Sequence, residues 1–181
     1  MTKPKLKKSG LFRKYLLVTI SIVLASFVFI GGALLLLVSK LWMEEKLELL
    51  TENVANVAKS TSDIYPKGLP NINSQLSVKL ICNTLDQTSN AIDADVFIVN
   101  LDGDVVFCKD SLQSDLSIFT EDCHVHGKYK ISHSTLKEAG RKISGSMNDL
   151  GGTLDTVHFV ASAPITMGGR VVGVVYATQP V

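Results

Sequence analysis

From residue 15 to residue 38 the chain reads YLLVTISIVLASFVFIGGALLLLV, without a charge between Lys14 and Lys40. At about 1.5 Å of rise per residue such a run reaches roughly 36 Å, enough to cross a hydrocarbon core of about 30 Å. Inside lipid every backbone amide must be satisfied within the segment, so the run has to be helical. A buried helix of a soluble domain is the competing interpretation, and the length and cationic flanks argue against it. The expectation is a transmembrane helix over residues 15–38.

Charge divides sharply across that run. Lys3, Lys5, Lys7, Lys8, Arg13 and Lys14 precede it with no acid among them. From Lys40 onward there are 12 basic and 17 acidic residues, a net of −5. Cationic flanks stay cytoplasmic, which puts residues 1–14 inside as a basic tail and the remainder outside. A cleaved signal peptide would have a core of about 7–15 apolar residues and a small-residue cleavage site. This core is longer and runs into VSKLWMEE, so an uncleaved anchor is expected, with Lys40 and Trp42 at the outer interface. The basic tail is short and its evident role is topology, so no nucleic-acid partner is expected.

Residues 39–64 continue as a helix. Leu47, Leu50, Val54, Val57, Thr61 and Ile64 recur at spacings of three and four, a narrow apolar seam. Such a seam fits either a coiled-coil contact with a second chain, making a homodimer, or a helix laid on its own sheet. YPKGLP (65–70) ends it, because proline cannot continue the hydrogen-bond ladder. A second helix is expected over 74–91, with Val78, Ile81, Leu85, Thr88 and Ile92 on one face.

Strands follow. DVFIVN (95–100) and DVVFC (104–108) flank an Asp-Gly turn, a strong hairpin signal. KYKIS (128–132) reads as a short strand. Thr135 and Glu138 have the spacing of a capping box for a brief helix to about residue 143. Residues 145–152 read as a loop, and TVHFVASAPI (156–165) and VVGVVYAT (171–178) as a closing hairpin. The class is therefore α+β: a transmembrane helix continuing into a juxtamembrane helix, then an antiparallel sheet with flanking helices over residues 65–181.

Cys108, Cys123, His124 and His126 form the densest group of reactive side chains. Three readings stay open. Cys108 and Cys123 can bridge in an oxidising compartment, closing a loop that the chain-entropy model credits with about 3 kcal/mol. Cys108, Cys123, His124 and His126 can bind a soft metal, although Cys-His-x-His lacks the usual spacing of paired ligands. The histidines can also be solvated loop residues that titrate near pH 6.5. No G-x-S-x-G, H-E-x-x-H, P-loop or G-x-G-x-x-G is present, so no catalytic residue is assigned.

A basic tail, one span, a long helix and the strands ADVFIVNLDGDVVFCKD (94–110) and SAPI…GRVVGVVYATQP (162–180), with Cys123-His124 and Gly151-Gly152 between, resemble the PAS/Cache-like sensor region of bacterial HAMP-containing sensor histidine kinases and related transmembrane receptors. The resemblance implies a signal-sensing domain in the cell membrane, single-pass in this stretch, ending before the second membrane helix, HAMP linker and kinase core. ATP and Mg²⁺ would serve that absent core, a response regulator would meet only it, and no cofactor is expected here. The ligand would be a small molecule, with Phe107, Tyr129, His158 and Tyr176 as candidates to line its pocket. A stand-alone anchored envelope binding or scaffold protein and an extracytoplasmic metal or redox module are the alternatives.

Overall fold

The computed structural model describes residues 10–64, 74–109 and 126–181. The chain divides into two units, Met1–Glu44 and Glu45–Val181. Helix α1, Leu11–Ile64, contributes to both. Its large apolar side chains from Phe12 to Val38 are exposed. The most apolar window there has a mean hydropathy of 2.6 and no buried residue, so this stretch is long and apolar enough to cross a membrane. Two of its hydroxyls are satisfied locally: Thr19 and Ser26 donate to the carbonyls of Tyr15 and Ile22, each at 2.9 Å.

The second unit is built on a five-stranded antiparallel sheet. After α2 (Ser74–Ile92) come β1 (Asp95–Val99), β2 (Val105–Cys108), a 3₁₀ turn (His126–Lys128), α3 (His133–Ala139), β3 (Ser144–Asn148), β4 (His158–Met167) and β5 (Arg170–Pro180). The strand order is β2-β1-β5-β4-β3. β5 lies at the centre, as its nearly continuous apolar run requires of a strand covered on both faces. This is the PAS/Cache-like α+β arrangement that the sequence resemblance implied.

Period-two alternation assigns the faces. Phe97 and Val99 of β1, Val160 of β4, and Val174 and Tyr176 of β5 share one face and cluster with Leu136 and Ala139 of α3. The other face meets the second-unit part of α1. A Cβ built on Gly145 would come within 2.9 Å of Thr51 Cγ2, and Ser62 Oγ donates to the Thr166 carbonyl at 2.6 Å. Of the two partners the seam allows, the described residues provide its own domain. Leu50 and Val54 are fully buried and Val57 nearly so, while Leu47 and Ile64 at the ends are half-buried.

Four local expectations are corrected. Residues 145–152 are not all loop, because Ser144–Asn148 forms β3, paired with β4 from Ser144↔Ser162 to Asn148↔His158. Residues 128–132 make no strand but a single bridge, Asp104↔Lys130. The cap of α3 is Ser132, whose hydroxyl accepts from Thr135 N at 3.3 Å, so the capping position lies three residues before Thr135. That helix ends at Ala139, not near 143. The Asp-Gly hairpin forms as expected: Gly103 has φ +92°, and Asn100 Oδ1 accepts from the amides of Asp102 and Asp104 at 3.0 and 2.9 Å. The proline-bearing stop at 65–70 lies outside the described residues.

Candidate functional site

Between α3 and the β3 edge of the sheet lies a cavity of about 170 Å³. α3 supplies Thr135, Glu138 and Ala139, and β3 supplies Ser144, Ser146 and Asn148. Val160 and Ser162 of β4, Tyr176 of β5 and Leu150 complete the wall. The period-two rule explains the polar side: alternate residues of β3 present two hydroxyls and an amide to one face, and Gly145 between them turns the other way, onto α1.

Most of these polar groups are tied to one another. Ser144 Oγ and Ser162 Oγ share a hydrogen bond at 3.0 Å, and Asn148 Nδ2 donates to Ser146 Oγ at 2.7 Å. Asn148 Oδ1 accepts from Leu150 N at 2.8 Å. Thr135 Oγ1 lies 2.9 Å from the capping Ser132 Oγ. Tyr176 is the exception. Its side chain is 1% exposed, yet its hydroxyl has no hydrogen-bond partner among the described residues. A buried hydroxyl left unpaired costs about 1–3 kcal/mol, a cost that a bound ligand can remove. Burial, and then the nearby charge of Glu138, push the phenol's pKa well above its ordinary value of 10.0. The group is a neutral donor and acceptor throughout the physiological range.

A wider cleft of about 480 Å³ opens between the end of α2 and the ends of β1 and β5. Several of its polar groups are partnered: Lys109 pairs with Asp95 at 2.7 Å, Ser89 donates to the Ala94 carbonyl, and Lys46 donates to Gln179 Oε1 at 3.4 Å. Among the described residues, no buried side-chain atom lining this cleft is left without a partner in the way the Tyr176 hydroxyl is.

The four aromatic candidates separate. Tyr176 lines the cavity. Tyr129 packs in the core beside Phe97, ring centroids 5.7 Å apart, and His126 lies 5.3 Å from the same ring. Phe107 stands opposite Ile98 on β2. His158 begins β4, its Nδ1 2.7 Å from the Thr156 carbonyl oxygen. Cys108 is fully buried opposite Phe97, and His126 is buried in the same cluster. Cys123 and His124 lie outside the described residues, and among the described residues no three His, Cys, Asp or Glu side chains could hold a metal. The cavity's Thr135, Glu138, Ser144, Ser146, Asn148 and Ser162 were missed as site residues. The available signal was the alternation of small polar residues in SGSMN, which marks a strand with one polar face.

No family model matches the chain. No curated protein matches it either. Among solved structures it is similar to the sensor domain of the V. cholerae histidine kinase DctB, over 90% of this chain and 56% of that one, at 10% identity and TM-score 0.42. It is similar to the sensory domain of the Campylobacter jejuni chemoreceptor Tlp3 with isoleucine bound, over 78% and 60%, at 16% identity and TM-score 0.42. An extracellular ligand binding receptor from Desulfohalobium retbaense matches over 76% and 24%, at 18% identity and TM-score 0.45. The chain spans less than two thirds of the length of each. All three likenesses are loose, of overall arrangement only.

Proposed function

We propose that this chain is the membrane-anchored sensing part of a bacterial receptor of the sensor histidine kinase type, with its basic tail in the cytoplasm and the sheet domain outside. The stimulus is a small molecule taken up between α3 and β3, and the observation that carries this reading is the buried Tyr176 hydroxyl on the cavity wall, without a hydrogen-bond partner among the described residues. β3 is one strand thick. Ser144 and Ser146 line the cavity, while Gly145 between them abuts Thr51 and Leu47 of α1. A ligand that draws β3 toward α3 therefore changes the contact on the helix that also carries the apolar stretch. In this mechanism the helix and the β3 edge form the two-state element, and the ligand favours one packing by binding it more tightly. The kinase core, its response regulator and a homodimeric assembly belong to the same proposal.

The test is hydrogen exchange on the whole chain in lipid nanodiscs with a panel of small polar metabolites: aliphatic amino acids, amines, carboxylates and sugars. Isoleucine belongs in it because the Tlp3 domain holds it. A ligand should slow exchange in α3, β3 and the second-unit part of α1. Ser146→Val, which keeps β propensity and fills the cavity, should abolish that protection. Protection that survives Ser146→Val, or a panel without effect, would remove the reading.

A further inference from the structure

We infer that the cavity selects a small primary ammonium ligand lacking a carboxylate, its charge paired with Glu138 and its stem held against Val160, Ala139 and Leu150. This inference rests on the sensing reading above and adds the ligand's chemical class.

Three observations carry it. The first is charge. Glu138 is the one acidic side chain on the cavity wall, and no Lys, Arg or His joins it among the described residues. Lys137, Arg141 and Lys142 are near in sequence but exposed and off the wall. A carboxylate placed there would face Glu138 with no cation to offset the repulsion, whereas an ammonium meets its counter-charge on arrival.

The second is the balance of donors and acceptors. A hydroxyl brings one donor and two acceptor sites, and a carboxylate brings acceptors alone. Ser144 and Ser162 spend one O–H on each other, and Asn148 spends its described bonds within the β3 edge. The wall is left richer in lone pairs than in protons. An ammonium offers three donors and no acceptor, the complement of such a wall. The Tyr176 hydroxyl, buried and without a partner among the described residues, is a ready acceptor for one of them.

The third is size. About 170 Å³ corresponds to five or six waters at roughly 30 Å³ each, below the ~300 Å³ at which drug-sized sites begin. An ammonium with a short aliphatic stem fills it.

The experiment is calorimetric titration of the full chain in nanodiscs with propylamine, 2-aminobutyrate and butyrate, which share a stem and differ in charged groups. Propylamine should bind at least tenfold more tightly than 2-aminobutyrate, and butyrate should give no binding. Glu138→Gln, at an exposed position whose fold is checked by its melt, should weaken propylamine at least tenfold, and Tyr176→Phe severalfold. Equal binding of butyrate or 2-aminobutyrate, or propylamine binding indifferent to Glu138→Gln, overturns the ammonium assignment. If that binding is still lost in Ser146→Val, the sensing reading survives. Silence from all three probes overturns the assignment too, and silence from the wider panel as well removes the sensing reading with it.

Discussion

Tyr176 is where structure and chemistry pull against each other most openly. Its ring stacks near Phe97, centroids 5.8 Å apart, and helps fill the core, while its hydroxyl finds no partner among the described residues. Tyr176→Phe keeps the ring and removes the orphan, so the variant should be as stable as the parent or more stable by about 1 kcal/mol. The sign with pH follows from the raised pKa. Above pH 10 the unfolded chain releases this proton and the folded chain keeps it, so the unfolded state binds fewer protons and stability falls as pH rises. The limiting slope for one such proton is about 1.4 kcal/mol per pH unit. Urea melts at pH 9, 10 and 11 should show a steeper alkaline loss in the parent than in Tyr176→Phe. Parallel losses would mean that the phenol is not shielded.

At the scale of elements, β3 decides most. It is short, polar and at the sheet edge, pairing with β4 alone. Its core-side partner is α1, met at a glycine. Gly145→Ala should cost about 1–2 kcal/mol, because the added methyl lands 2.9 Å from Thr51 Cγ2, a branched side chain with little freedom to move. Thr51→Ser removes that methyl and should recover most of the loss, read as a non-additive double-mutant cycle in denaturant melts. Additive losses would place the strain elsewhere. The hairpin glycine differs in kind: a Cβ on Gly103 would strike the carbonyl oxygen of Ile131, which is backbone and cannot step aside.

For the whole molecule, the proposed topology places Cys82, Cys108 and Cys123 in an oxidising compartment. Cys82 is buried on α2, and burial pushes its thiol pKa up, which slows its chemistry in the fold. If Cys108 and Cys123 are bridged, the first of the three open readings, the chain denatured without reductant should show one reactive thiol and the native chain almost none. Three thiols in the denatured chain would remove the bridge and return the metal reading to the field.

The membrane-length helix, the two hairpins and the central position of β5 were legible because each rests on local physics: a run of apolar residues, turn residues with a required φ, and a nearly continuous apolar strand. The apolar seam at Leu50, Val54 and Val57 was legible as a seam but not in its partner, since a helix face specifies what it avoids and not what covers it. SGSMN carried too few apolar residues to announce a strand. It pairs because β4 offers an open edge and Gly145 admits α1, both supplied by segments far away in sequence. The cavity, the orphaned hydroxyl of Tyr176 and the charge of Glu138 beside it exist only once α3 is laid across that edge, because no short stretch of chain contains all three.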